Sequence, residues 1–255
     1  MVQKRRGNSG ALTAILATIM LIAWSVILLG AGGVFVADFC APAGLWGSQT
    51  LASLDLALAF NPPTTRAVGW ALMLAALMPP LIAVPLRHIR DRSFASRRGR
   101  AMALFALAYV AVWMMAGVVL QFIPLVHFVW PGSFVPVAIG MAVALLWQLS
   151  PAKQYCLNRC HRVPNLTAFG VAADHHVLVF GLTHGAWCIG TCWALMMLPL
   201  LVERGHVLAM AATALFLFSE RLERPAPLGW RWHVTTKALR IVIGQVRIRL
   251  NPRRA

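Results

Sequence analysis

AMALFALAYVAVWMMAGVVLQFIPLVHFVWPGSFVPVAIGMAVALLWQLSPA, residues 101–152, contains no Asp, Glu, Lys or Arg. A helix crossing a bilayer needs about 20 apolar residues. The stretch therefore predicts two spans, residues 102–122 and 134–149, joined by a hairpin that holds Pro124, Pro131 and Gly132. In lipid each backbone N–H and C=O must find a partner within the protein, which favours helices over any irregular chain at that depth.

The same pattern repeats outward on both sides. Upstream lies a basic loop, residues 87–100, and before it an apolar run, 67–86, in which Pro79 and Pro80 predict a kink. The first apolar run, 12–36, follows Lys4, Arg5 and Arg6 and is too long for a secretory signal, so it reads as a signal anchor. Between these runs, residues 51–60 are apolar but too short to cross and carry Asp55; they read as an interfacial helix or packed loop ended by Asn61, Pro62 and Pro63. Downstream come a polar segment (150–175), a span at 177–201, and a shorter span at 207–222 that includes Glu220. In the basic tail, residues 232–250 mix Ile and Val with Lys and Arg, as a surface-lying segment does.

The expected fold is thus all-α: a polytopic transmembrane helical bundle of six spans with N and C termini cytoplasmic. It divides into a first helix and extracytoplasmic loop (1–66), a five-helix metal-binding core (67–224) and a basic cytoplasmic tail (225–255). Of the 255 residues 60% are hydrophobic and 12% charged, about half the charged share of a soluble domain. In this topology only Arg66 and Arg204 of the 23 Lys and Arg residues fall outside the cytoplasmic face, as the positive-inside rule requires of an inner (plasma) membrane protein of bacteria. An odd number of spans breaks that asymmetry. Membrane retention accounts for the net charge of +16; no nucleic-acid-reading motif accompanies it, so the partners expected are the lipid bilayer and a metal ion, with a metallochaperone or partner membrane protein. No nucleophile–base triad, phosphate loop or acidic pair falls within the spans, which disfavours hydrolase and ATPase chemistry.

Four of the five cysteines form two pairs at i, i+4: Cys156 with Cys160, and Cys188 with Cys192. Residues four apart share a helix face, and two sulfurs presented one turn apart can grip a soft cation. Ser150 is placed to cap a short helix with Pro151 at its first position and Pro164 beyond its end. Lys153, Arg159 and Arg162 are expected around its thiols, favouring thiolate. In the second motif His184, Cys188, Cys192 and Met196 recur every four residues, a stripe of imidazole, two thiols and a thioether within a span. Gly181, Gly185 and Gly190 leave room for another helix. The metal ligands expected are Cys156, Cys160, His184, Cys188 and Cys192, with Cu(I) favoured and zinc the other option. Met73, Met78, Met114 and Met115 are candidates to extend a soft path, although core or lipid-facing filler is the ordinary role of methionine. The topology puts the first pair at the cytoplasmic surface and Cys188 roughly 16 Å into its span. Whether the pairs form one site or two stations stays open. Cys40 has no partner in sequence, and Glu220 reads as a helix-end charge near Arg221 and Arg224. Two other functions fit the same residues: a membrane thiol–disulfide electron carrier, and a structural partner subunit whose cysteines only pack.

Trp70-Ala71-Leu72-Met73 with Met78-Pro79, then Gln148 through Lys153 leading to Cys156-Leu157 and Cys160, then His184-Gly185, Cys188 and Cys192-Trp193-Ala194-Leu195-Met196, together resemble a bacterial family of predicted metal-binding integral membrane proteins, a domain of unknown function. The resemblance covers residues 66–224 and implies metal binding without naming an activity. His161 stands where that family has arginine after the second cysteine, and Thr191 where a further cysteine is common; both pairs are intact.

Overall fold

The computed structural model describes residues 2–31, 63–123, 133–167, 169–202, 205–230 and 237. Among them every regular element is helical: α1 (Val2–Ala31), α2 (Pro63–Leu77), α3 (Pro79–Arg92), α4 (Arg98–Leu120), α5 (Val135–Leu149), α6 (Pro151–Cys160), α7 (Gly170–Leu201) and α8 (His206–Leu222). Cys40, the segment at 51–60, the hairpin prolines and the tail beyond 230 other than Lys237 lie outside the described residues.

Three helices are long and apolar enough to cross a membrane: residues 10–30 of α1, then α4 and α7. Two further pairs pass together as bent units, α2 with α3 at 69° and α5 with α6 at 66°, which raises the count to five. The helix α8 has 17 residues and is about 26 Å long at 1.5 Å per residue, a little under the hydrocarbon thickness of about 30 Å. Large apolar side chains cover the outer faces, among them Leu29, Met115, Val119, Leu146, Leu208 and Leu215, all more than half exposed. An apolar surface of that extent suits lipid far better than water.

The bends arise where the sequence forbids a continuous helix. Pro79 and Pro80 cannot donate to the turn before them, so α2 stops and α3 restarts beyond Met78. At the second break Ser150 leaves the helix, and its hydroxyl accepts a hydrogen bond from the Lys153 N–H at 3.1 Å, with Pro151 at the first helical position. The resulting α6 ends at Cys160, short of Pro164, and α7 starts at Gly170, before the expected 177.

At the centre stands α7, packed against α4, α5, α6 and α8, while α1 lies on α2 and α3. A Cβ on Gly181 would meet the Phe105 carbonyl oxygen and the Ala108 Cβ, each at 2.7 Å. Only glycine allows α4 to come that close. Two indole N–H groups are satisfied by backbone across the interior: Trp70 donates to the Trp113 carbonyl at 2.9 Å and Trp24 to that of Ala76 at 3.2 Å.

The two basic loops meet at one end of the bundle. Arg97 and Arg100 both pair with Asp174, at 2.5 and 2.7 Å. His88 bonds the Pro164 carbonyl and Arg87 the Thr13 hydroxyl. At the other end the Gln121 amide donates to the Arg66 carbonyl at 3.1 Å. Two bonds set α8 antiparallel to α7: His206 to the Pro199 carbonyl, and Arg221 to His184.

Candidate metal centre

The second cysteine pair is sealed inside the bundle. Cys188 is fully buried and Cys192 nearly so. Their sulfurs stand 3.9 Å apart and all four described cysteines are free thiols. The separation follows from the i, i+4 spacing on straight α7. With metal–sulfur bonds of about 2.3 Å it subtends roughly 115° at a shared ion, between tetrahedral and trigonal.

Partners from three helices surround this pair. The Tyr109 hydroxyl on α4 lies 3.2 Å from the Cys188 sulfur and 3.2 Å from the Met78 thioether, which sits at the α2–α3 break. Thr191 bonds the Cys188 carbonyl at 2.8 Å and reaches the Cys192 sulfur at 3.2 Å. On α8, Arg221 lies beside Cys160 and within electrostatic reach of Cys188 and Cys192. Two donors in this interior, Arg221 Nη1 and Trp113 Nε1, are buried with no nitrogen or oxygen partner among the described residues, and thiols are their neighbours, Cys160 beside Arg221 and Cys188 beside Trp113. Unsatisfied N–H groups next to thiols are what thiolates, or an anionic metal–thiolate group, would satisfy.

The first pair does not stay at the end of the bundle. The helix α6 folds back across α7: Tyr155 packs edge-on to Trp187 with centroids 5.6 Å apart, and the Cys156 sulfur lies against Gly190. It therefore lies level with Cys188 along α7. The two sulfurs of the pair then part company. Cys156 rests on Gly190, where a Cβ would stand 2.5 Å from its sulfur. Gly190 and Cys188, two residues apart, lie on nearly opposite sides of α7. Cys160, one turn further along α6, is buried in the same apolar cluster as Cys188, Cys192, Met73, Met78, Met196 and Met210. Three of the four cysteines thus share one core, and the fourth approaches α7 from behind.

His184 is 2% exposed and ringed by Phe105, Tyr109 and Phe180, with centroids 5.7 to 6.1 Å away. Its Nε2 lies 3.3 Å from Arg221. Guanidinium only donates, so Nε2 accepts and the imidazole is neutral with its proton on Nδ1. In this geometry its lone pair is engaged by Arg221. Among the described residues, no three or more His, Cys, Asp or Glu side chains are gathered closely enough to hold a metal ion.

The cations expected around the first pair have other work. Lys153 is buried and forms an ion pair with Glu220, which is therefore not a solvated helix-end charge. The Arg159 guanidinium lies over the rings of Tyr155 and Trp187, and Arg162 is exposed. Sequence reasoning missed Arg221 and Tyr109. A signal for Arg221 exists: His206, Met210, Thr213, Leu217 and Glu220 form a buried stripe on α8, which Arg221 flanks. For the soft path, Met73 and Met78 are buried in the core, Met114 is half-buried and Met115 is 70% exposed.

A family model described as PpoB2, copper chaperone, matches residues 67–244. None of the curated proteins matches the chain, and no solved structure does. The match spans well over half of the sequence, including both cysteine pairs, so the chain belongs to the PpoB2 copper chaperone family.

Proposed function

We propose that this protein is a membrane-embedded copper chaperone, that Cu(I) is its cargo, and that Cys188 and Cys192 grip it. The observation that carries the reading is the pair of buried free thiols with sulfurs 3.9 Å apart, backed by the Arg221 guanidinium. Cu(I) is content with two or three soft donors, and thiolate and thioether sulfur are its preferred ligands. Cys160 and Met78 are the candidates for a third, since both lie in the same cluster and Met78 shares the Tyr109 hydroxyl with Cys188. Structural zinc wants four ligands, and a close cysteine pair with no third His, Cys, Asp or Glu gathered onto it among the described residues favours copper over zinc. Of the five ligands read from sequence, Cys188 and Cys192 hold the ion in this proposal, Cys160 assists, and Cys156 and His184 support the surrounding structure.

The bundle around this site is proposed to cross an inner membrane six times, with α8 as the short sixth span and the basic end of the bundle in the cytoplasm. The sharing of one end by both basic loops supports that sidedness.

The test is Cu(I) binding by detergent-purified protein under reducing, oxygen-free conditions, in competition with a chromophoric chelator. Wild type takes up one Cu(I) per chain. Cys188→Ser and Cys192→Ser each lose it by at least about a hundredfold in affinity, the scale of one lost metal-supporting contact or more. Cys156→Ser keeps it. Wild-type binding that survives in both Cys188→Ser and Cys192→Ser would refute the site.

A further inference from the structure

Arg221 is a costly residue to bury beside a cation site. Its Nη2 meets His184 at 3.3 Å, its Nη1 is buried with no nitrogen or oxygen partner among the described residues, and it lies beside Cys160 with Cys188 and Cys192 within electrostatic reach. The neighbouring carboxylate, Glu220, is balanced by Lys153. Guanidinium does not lose its proton in proteins, so the positive charge is permanent. We propose that Arg221 is a specificity-determining residue that makes the thiol centre select a singly charged soft cation over a divalent one. The inference rests on the Cys188–Cys192 reading of the site.

Charge balance at a thiol pair buried from solvent sets the selection. Cys188 and Cys192 as thiolates carry two negative charges, and a third donor, the Met78 thioether or Cys160 as an intact thiol, adds none. The guanidinium cancels one, which leaves room for one positive charge. Cu(I) closes the balance at zero, while Zn(II) or Cd(II) leaves an uncompensated positive charge in the interior, where charges are poorly solvated. Arg221 also repels a divalent ion twice as strongly as a monovalent one. In surroundings of effective dielectric about 20, an extra unit of charge within about 12 Å of a guanidinium changes the affinity ratio about tenfold or more. Thiolate softness alone does not supply this discrimination, because zinc sites are also built from cysteine.

The experiment compares Cu(I) and Zn(II) affinities of full-length wild type, Arg221→Lys and Arg221→Gln in detergent, each by chelator competition. Arg221→Gln is expected to lower the Cu(I)/Zn(II) affinity ratio about tenfold or more, whereas Arg221→Lys, which keeps the charge, stays near wild type. A ratio unchanged in Arg221→Gln, with Cu(I) still bound by wild type, overturns this inference alone. Wild type that binds no Cu(I) overturns the thiol-site reading and this inference together. Should Arg221→Gln not fold, wild type decides the matter by itself. Ag(I), soft and singly charged, must displace bound Cu(I), and Cd(II), soft and doubly charged, must not. Displacement by Cd(II) as ready as by Ag(I) overturns the proposal.

Discussion

At the scale of single residues, the thiol centre is defined by which group owns which proton. The Tyr109 hydroxyl has one proton and two sulfur neighbours, Met78 and Cys188, both at 3.2 Å. While Cys188 is a thiol, its S–H can donate to the phenol oxygen and the phenol to Met78. Once Cys188 becomes a thiolate, the phenol serves it best, because hydrogen bonds to charged groups contribute about 1.5–3 kcal/mol. Tyr109→Phe removes that bond while keeping the ring that packs on Phe105 and His184. Its Cu(I) affinity is expected to fall about tenfold or more, the equivalent of 1.4 kcal/mol upward, with little change in thermal stability. An unchanged affinity in the chelator competition would show that Tyr109 only fills space. His206 illustrates the ordinary use of a buried polar residue: its ring bonds the Pro199 carbonyl at the end of α7, where helix carbonyls lack partners.

At the scale of elements, the arrangement depends on α6 folding back onto α7 and on α4 lying close to it. The buried Lys153–Glu220 ion pair ties α6 to α8. Breaking a buried pair by removing one partner typically costs about 3–5 kcal/mol, whereas replacing both with apolar residues is often neutral. Lys153→Met is therefore expected to lower the unfolding temperature in detergent markedly, and Lys153→Met with Glu220→Leu to recover most of it. Equal loss in the single and double variants would mean that the charges are needed for something other than holding the helices. The α4–α7 contact makes a second prediction. A methyl group on Gly181 meets backbone at 2.7 Å, and backbone cannot give way as a side-chain tip can. Gly181→Ala should destabilise by about 1–3 kcal/mol, the usual cost of overpacking, and a melt matching wild type would contradict the close packing.

At the scale of the whole molecule, sidedness can be read from which loops share an end. Ser96 and Asn165 belong to the loops joined by Arg97, Arg100, Asp174 and His88, and Thr65 lies next to Arg66 at the other end. Single cysteines placed at 96 and 165 are expected to resist a membrane-impermeant thiol reagent in intact cells, and one at 65 to react; labelling of 96 and 65 alike would reject the six-span topology. Sequence by itself determined the helical class and which runs are apolar enough to cross a membrane, because an uncharged stretch such as 101–152 needs its backbone hydrogen bonds made internally. It also determined the breaks at Pro79 and Ser150–Pro151 and the face shared by Cys188 and Cys192, all of which are local consequences of proline chemistry, capping and helix pitch. The grouping of the cysteines was a tertiary decision. Spacing within a helix cannot say how α6 crosses α7, and that crossing sends Cys160 into the core and Cys156 to Gly190. Nor can it say that Arg221, on a helix 20 residues further along the chain than Leu201, returns to His184. Those choices belong to packing between helices, whose physical cause is shape and charge matched across chain segments distant in sequence.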